Sequence, residues 1–132
     1  MVNSLAQVLV PILTLAYLPA DADSVDGTWR SPPRPSGAYL IVEIGPCADA
    51  PAKRCGIVVS AHDGARPETV GRQVIRGMEL MPDGTWRGEV IHALKGHVYN
   101  SRVLPAGRDV MRVQGCIMGD LICTTQEWTR VR

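Results

Sequence analysis

The sequence predicts an all-β protein that folds as one antiparallel up-and-down barrel of about eight strands. Three observations indicate this class. Short runs of β-branched and apolar residues recur along the chain, 13 glycines and 10 prolines separate them, and no segment after the N-terminal region has convincing helical periodicity. Closing such a meander into a barrel removes free edges that promote aggregation. With about eight strands, the interior is either filled by side chains or wide enough for one small ligand.

The strands are predicted in order from their composition and from the turn residues between them. Residues 28–30 form a short first strand, and a stiff proline-rich connector follows. Segment 71–81 is compatible with a strand or a short helix, and its two glycines favour the strand. Segment 65–70 contains Pro67 and is expected to be a loop. The other predicted strands are 38–45, 55–61, 86–93, 97–104, 110–117 and 121–131.

Residues 1–22 are predicted to be a cleaved signal peptide. Residues 5–18 form an apolar run of the length of a signal-peptide core, too short to span a bilayer of about 30 Å. Ala20 and Ala22 are small enough for signal peptidase, so cleavage after Ala22 leaves residues 23–132 as a single barrel domain. The basic residues that usually begin a signal peptide are missing. We expect a periplasmic or secreted protein without a stable membrane anchor.

The four cysteines, an even number, are expected to form two disulfides, as is typical of small exported proteins. Three pairings are possible. Local pairing of Cys47 with Cys55 and of Cys116 with Cys123 is favoured, because each bridge closes a short loop between two β-like runs. Neither spacing fits the Cys-x2–4-Cys pattern usual for structural zinc, so no metal site is expected.

Charge composition argues against a nucleic-acid partner. The chain has 14 basic and 13 acidic side chains, three Trp, three Tyr and no Phe. A protein that neutralises phosphates or stacks bases needs a basic excess and more aromatic side chains. Several arginines fall on predicted strands, so a protein partner stays open. They are Arg72, Arg76, Arg87, Arg102 and Arg112.

A series of short motifs, in order along nearly the whole mature chain, resembles a known family. The motifs are Gly27–Trp29, Cys55–Val58, Trp86–Gly88, Tyr99, Gly115–Cys116, Cys123 and Trp128–Val131. Together they resemble the bacterial domain of unknown function numbered 2147. The resemblance implies a small exported protein with a lipocalin-like or calycin-like barrel and no established activity. Segment 92–97 departs from the family pattern, because it is shorter and lacks the usual Asp.

The resemblance also suggests how one end of the barrel is closed. In lipocalin-like barrels the Gly-x-Trp tryptophan commonly plugs one end, covered by an Arg from the last strand. Trp29 and Arg130 are the candidates for these roles here. Trp128 lies two residues before Arg130 and shares its strand face, so it is expected to help plug the same end. Any ligand would then enter from the opposite mouth.

No catalytic residues or cofactors are predicted. The chain has no Gly-x-Ser-x-Gly elbow, phosphate-binding glycine loop or His-Glu-x-x-His pattern. His62 is expected to be a structural or solvated loop residue. A four-residue loop at 93–96 would place His92 opposite His97, close enough to share a metal, but no third ligand is evident. A two-residue turn at Lys95 would instead place His92 opposite Tyr99.

The leading functional prediction is an exported non-catalytic barrel that binds a small apolar or amphipathic molecule. The fold offers one concave site at its mouth. Its candidate ligand-lining residues are Trp86, Val90, His92 and Tyr99. The alternative is an envelope protein-binding or inhibitor module that uses the loops and the arginine-rich strands.

Overall fold

The structure is a computed structural model and describes residues 24–131. The predicted signal peptide, residues 1–22, lies outside the described residues. Within the described range, no helix is long and apolar enough to cross a membrane. This part of the chain forms eight strands and a single-turn 3-10 helix at Pro67–Thr69. The strands are β1 Gly27–Arg30, β2 Tyr39–Pro46, β3 Arg54–His62, β4 Gln73–Leu80, β5 Trp86–Ile91, β6 Val98–Pro105, β7 Val110–Ile117 and β8 Ile122–Arg130.

The strands pair antiparallel in sequence order, and β1 pairs with β8 to close the barrel. The closing contact is short: Trp29 lies opposite Arg130, and Arg30 lies opposite Thr129. The predicted all-β up-and-down barrel is therefore confirmed, and segment 71–81 contains strand β4 instead of a helix. The 3-10 helix lies in the connection between β3 and β4, which was expected to be loop.

The topology places alternate connections at opposite ends of the barrel. One end holds residues 24–26 and the β2–β3, β4–β5 and β6–β7 connections, and we call it the sealed end. The other holds the β1–β2, β3–β4, β5–β6 and β7–β8 connections, and we call it the open end. These two ends differ in packing and in chemistry.

The hydrophobic core occupies the half of the barrel near the sealed end. Side chains alternate inward and outward along each strand, so Trp86, Val103 and Val113 face inward in one row across β5, β6 and β7. The buried cluster is Val25, Trp29, Val42, Ile44, Val58, Val74, Ile75, Met78, Trp86, Val103, Met111, Val113 and Trp128. Inward positions nearer the open end, such as Tyr99 and Ile117, are half-buried or exposed.

The two local disulfides that the spacing favoured are both formed, one towards each end. Cys47 and Cys55 join the end of β2 to the start of β3 at the sealed end, with an S–S distance of 2.08 Å. Cys116 and Cys123 lie directly opposite each other on β7 and β8, with an S–S distance of 2.07 Å. The second bridge joins β7 and β8 next to the turn of their hairpin at the open end.

Strand β4 is irregular, and Gly88 on β5 accommodates it. The pairing of β4 with β5 shifts after Arg76, where Gly77 has a positive φ of 62°. A Cβ at position 88 would lie 2.8 Å from the Arg76 carbonyl oxygen and 2.9 Å from that of Gly77. Only glycine permits this close approach, since real Cβ contacts are longer.

Candidate functional site

The inner half of the barrel towards the open end encloses a cavity of about 650 Å³. Its wall is mainly aliphatic, because the inward positions of five strands carry apolar side chains there. These side chains are Leu40, Val42, Val74, Val90, Val113, Ile117, Ile122 and Trp128. Val42, Val74, Val113 and Trp128 also belong to the buried core, so the core forms the floor of the cavity. The site is a solvent-accessible apolar well.

Strand β8 contributes a polar stripe to this wall. Thr124 and Gln126 line the cavity on the same strand face as Trp128. The Trp128 indole N–H donates to Gln126 Oε1 at 3.1 Å. Opposite them on β7, Gly115 leaves the wall open, since a Cβ there would meet only Tyr99 Cβ, at 3.8 Å. The cavity can therefore satisfy a ligand polar group along one side.

At the sealed end, Trp29 and Arg130 are in contact. Trp29 is 1% exposed, and its indole N–H donates to the Val25 carbonyl at 2.9 Å. The Arg130 guanidinium carbon lies 4.3 Å from the centroid of the Trp29 ring, a distance typical of cation–π pairs. The predicted partners therefore meet at the end opposite the cavity mouth. How strongly the pair is coupled stays a prediction.

Arg130 also crosslinks two segments by hydrogen bonds. Its Nη1 donates to the Asp26 carbonyl at 2.6 Å, and its Nη2 donates to the Ser24 carbonyl at 3.0 Å. Its Nε donates to the Arg108 carbonyl at 2.6 Å. One side chain thus ties the N-terminal segment to the β6–β7 connection. Trp128, which was expected to help plug this end, does not share these contacts. It lies at the floor of the cavity.

Trp86 differs from its predicted role, because it does not line the cavity. It is the first residue of β5, at the end of the strand near the sealed end, where it lies opposite Val103. Its side chain is buried. The Arg54 guanidinium carbon lies 5.6 Å from a Trp86 ring centroid, and Arg54 Nε donates to Asp26 Oδ1 at 2.6 Å. Trp86 therefore belongs to the sealed end. Its indole N–H has no partner among the described residues.

Val90, His92 and Tyr99 line the cavity, nearer its mouth. His92 Nδ1 accepts hydrogen bonds from the backbone N–H groups of Leu94, at 3.2 Å, and Lys95, at 3.1 Å. Nδ1 is therefore unprotonated, and neutral His92 carries its proton on Nε2. Burial lowers the pKa of His92 below its ordinary value, and the nearby positive groups lower it further. His92 is a neutral hydrogen-bond donor at this rim.

Ile91 pairs with Val98, so the next residues on each side, His92 and His97, lie opposite each other across residues 93–96. The His92 backbone N–H donates to the His97 carbonyl at 2.8 Å. His97 packs edge-on against Tyr99, with ring centroids 6.5 Å apart. The described residues contain no group of three side chains suited to hold a metal ion. With Nδ1 of His92 already occupied by two donors, the pair lacks the ligand set of a zinc site.

His62 lies at the end of β3, instead of in the following turn. Its ring stacks on Tyr39, with centroids 4.9 Å apart, and its Nε2 lies 2.8 Å from Ser60 Oγ. The Arg30 guanidinium carbon lies 3.8 Å from the Tyr39 ring centroid. These contacts brace β1, β2 and β3 at the open end and give His62 a structural role.

The charged groups that line the cavity lie in its rim loops. Arg34 comes from the β1–β2 connection and Arg66 from the β3–β4 connection. Arg66 Nη2 forms an ion pair with Glu68 at 3.1 Å. Arg34 forms no ion pair within residues 24–131. The rim therefore carries one guanidinium, that of Arg34, without an ion-pair partner among the described residues.

The β7–β8 hairpin has an apolar tip at the open end. Met118 and Leu121 are 70% and 74% exposed, and Ile117 and Ile122 beside them line the cavity. Sequence analysis missed this wall. Its signal was available: once Trp128 is assigned to the inner face, the two-residue period assigns Gln126, Thr124 and Ile122 to it as well.

Four of the five arginines that were predicted on strands form ion pairs or hydrogen bonds with other groups of this chain. Arg76 pairs with Glu89 at 2.8 Å, Arg87 with Asp120 at 3.6 Å and Arg112 with Glu127 at 3.8 Å. Arg72 Nη1 donates to the Ala93 carbonyl at 2.8 Å, which joins the β3–β4 and β5–β6 connections. These arginines are mostly engaged in pairing across the outer surface.

This closed eight-stranded barrel, with an apolar cavity at one end, defines the protein as a lipocalin-like barrel. Its structure is similar to protein HP1028 from the human pathogen Helicobacter pylori, which is described as belonging to the lipocalin family. The TM-score is 0.64 at 14% sequence identity, over 83% of this chain and 84% of that chain. At this identity the likeness shows the fold alone.

The chain belongs to the family described as "Uncharacterized protein conserved in bacteria (DUF2147)", whose model matches residues 27–130. The resemblance that the ordered motifs indicated is therefore confirmed. A search of curated proteins finds no match to this sequence.

Proposed function

We propose that this protein is an exported, non-catalytic barrel that binds one small apolar or amphipathic molecule in its lumen. The observation that carries the proposal is the cavity of about 650 Å³ with a mainly aliphatic wall. Binding sites for small molecules typically have volumes of about 300–1,000 Å³ and apolar linings with a few polar groups. The Thr124 and Gln126 stripe and the His92 N–H supply such polar groups.

The apolar wall supplies the driving force for binding. Inward side chains such as Ile117 and Ile122 are about half exposed, because the cavity is open to water. A ligand that covers them removes apolar surface from water, at about 25 cal/mol per Å². The floor is buried core, so the well is preformed and binding does not require the barrel to unfold.

Export is supported by the cysteine chemistry. The two disulfides use all four cysteines and leave none free. Such bridges persist in oxidising compartments, including the periplasm and the extracellular medium. The predicted signal peptide, residues 1–22, is consistent with the same route. Intact-mass analysis of protein recovered from the native envelope should identify Asp23 as the first residue, and a full-length cytoplasmic species would contradict export.

A non-catalytic role is supported by the surroundings of the side chains that could act as a nucleophile or a base. Disulfide-bonded cysteines cannot act as nucleophiles, and His92 Nδ1 is already held by two backbone amides. Ser60 and His62 are within hydrogen-bond distance, but the His62 ring is stacked on Tyr39. Because most of the strand arginines are already paired with acidic side chains of the same chain, the protein-binding alternative is less favoured than ligand binding.

The test uses the neutral fluorescent probe N-phenyl-1-naphthylamine and a variant that fills the cavity without removing any side chain. Gly115→Phe adds a ring at a wall position where only Tyr99 Cβ is near. We expect at least a tenfold loss of probe affinity in a fluorescence titration. Thr125→Phe is the matched control, because Thr125 neighbours this region on the opposite, outward face of β8.

The control should bind the probe as the natural protein does. Circular dichroism and thermal unfolding of both variants check that the barrel persists. Failure of the natural protein to bind the probe, or equal affinity in the Gly115→Phe variant, would contradict lumen binding.

A further inference from the structure

We propose that the ligand is an amphiphile with a single negative charge, whose apolar chain occupies the lumen and whose carboxylate is bound at the rim by Arg34 and His92. This inference rests on the proposed function and adds the chemical class of the ligand. It follows from the way charge is distributed along the cavity.

Charge is segregated along the axis of the cavity. The side chains below the rim are aliphatic or uncharged, and the two arginines that line the cavity both lie in rim loops. Among the described residues, no Asp or Glu lines the cavity. A neutral apolar ligand gains little from this arrangement. A ligand with an apolar chain and an acidic group matches both parts.

Arg34 is the better anion ligand of the two rim arginines. Arg66 is already paired with Glu68, so its charge is largely compensated. The Arg34 backbone is held by a turn, in which its N–H donates to the Ala38 carbonyl at 2.9 Å and its carbonyl accepts from Gly37 at 2.7 Å. Prolines in the same connection stiffen it further. The loop is therefore preorganised.

His92 supplies a second donor to the same cavity. The two backbone amides on Nδ1 leave the imidazole proton on Nε2, where it can be donated. Arg34 and His92 both line the cavity, and after burial the charge of Arg34 is the next cause that lowers the pKa of the imidazole. Lys95 and His97 act on His92 in the same direction, so the surroundings of the ring are positive.

One uncompensated guanidinium and one neutral N–H that line the same cavity suit a planar group with one negative charge. A guanidinium donates to a carboxylate with two parallel hydrogen bonds, and bonds between charged groups are about twice as strong as neutral ones. Because the rim is open to solvent, we expect the carboxylate to improve affinity about tenfold.

The test compares two probes that differ only in the acidic group: 11-(dansylamino)undecanoic acid and its methyl ester. Fluorescence titrations measure both with the natural protein, with Arg34→Gln and with Arg108→Gln. The last variant removes the same charge from the β6–β7 connection at the sealed end, where the Arg108 contact uses the backbone carbonyl. It controls for the change in net charge.

We expect the acid to bind about tenfold more tightly than the ester, with a preference that weakens as salt is added. Arg34→Gln should abolish the preference and leave ester affinity unchanged, which also shows that the variant is folded. Arg108→Gln should keep the preference. Equal affinities for the two probes, or a preference that survives Arg34→Gln, would overturn the inference while lumen binding stands. Absence of binding by both probes would overturn the proposed function as well.

Discussion

The sealed and open ends of the barrel are built from the same kind of short connections, yet they differ in packing. At the sealed end, side chains from neighbouring segments meet: Trp29 lies under Arg130, and Arg54 pairs with Asp26. At the open end, inward positions carry glycine or side chains that do not meet, such as Gly115 and Thr124. The difference separates a part that stabilises the fold from a part that can bind a ligand.

The two disulfides show the same contrast. The Cys47–Cys55 bridge supports a region that is already joined by hydrogen bonds, with the Cys47 N–H donating to the Lys53 carbonyl at 2.9 Å. The Cys116–Cys123 bridge lies one residue pair from the largely exposed tip of the β7–β8 hairpin. At the open end, the covalent bond therefore lies directly beside exposed apolar side chains.

Removing the indole at the sealed end should have the largest effect on stability. Trp29→Ala leaves a cavity in close-packed core and should lower the free energy of unfolding by about 3–5 kcal/mol. Tyr99→Ala, at the open end, should cost less than half as much, because Tyr99 is only partly buried. Urea unfolding followed by circular dichroism measures both, and Trp29→Leu serves if the alanine variant does not fold. Equal losses of unfolding free energy in the two variants would contradict the difference in packing between the sealed and open ends.

Removing either disulfide should destabilise the protein by about 2.5 kcal/mol, because the bridged residues are separated by only 8 and 7 positions. The expected difference lies in binding. Replacing Cys116 and Cys123 by Ser should weaken N-phenyl-1-naphthylamine binding, since β7 and β8 form the cavity wall. Replacing Cys47 and Cys55 should leave the affinity of the folded protein unchanged. A titration at a temperature where both variants are folded decides this, and the reverse pattern would contradict it.

The Trp29 and Arg130 contact should contribute a coupling energy of about 0.5–2 kcal/mol. The measurement is a double-mutant cycle with Trp29→Leu and Arg130→Met. The hydrogen bonds from Arg130 to the Ser24 and Asp26 carbonyls are lost in both variants that lack Arg130, so they cancel in the cycle. The control is a second double-mutant cycle, between Trp29 and the outer-surface residue Arg112, for which the coupling energy should be near zero. Equal values for the two pairs would rule out a specific plug.

The smallest expected effect is a pH dependence at the rim. The pKa of folded His92 lies below the ordinary value of 6.5 because of burial and nearby positive charge. The unfolded chain therefore binds the proton more readily, and stability is lost as pH falls from about 6.5 to the folded pKa. The melting temperature of the natural protein should fall more between pH 7.5 and 5.5 than that of His92→Gln. Parallel pH profiles would contradict this assignment.

Local patterns were sufficient to predict the elements of the fold. Strand β4 could be recognised despite its ambiguity, because Gly77 disfavours a helix. The pairing of Cys116 with Cys123 also follows locally, since a short connection places the ends of two strands opposite each other. The same reasoning did not distinguish Trp86 from Tyr99. Both are aromatic, and both face inward on neighbouring strands.

The residues alone were enough to predict the all-β class and the order of the strands, to favour the two local bridges and to indicate the family, because each depends on neighbouring residues or on motif order. The tertiary structure alone decided that Trp86 belongs to the core and Tyr99 to the cavity, since depth along the barrel depends on how all eight strands are staggered. It also placed Arg34 and His92 around the same cavity and brought Arg130 to the Ser24 carbonyl. Barrel closure brings together groups that are far apart in the chain.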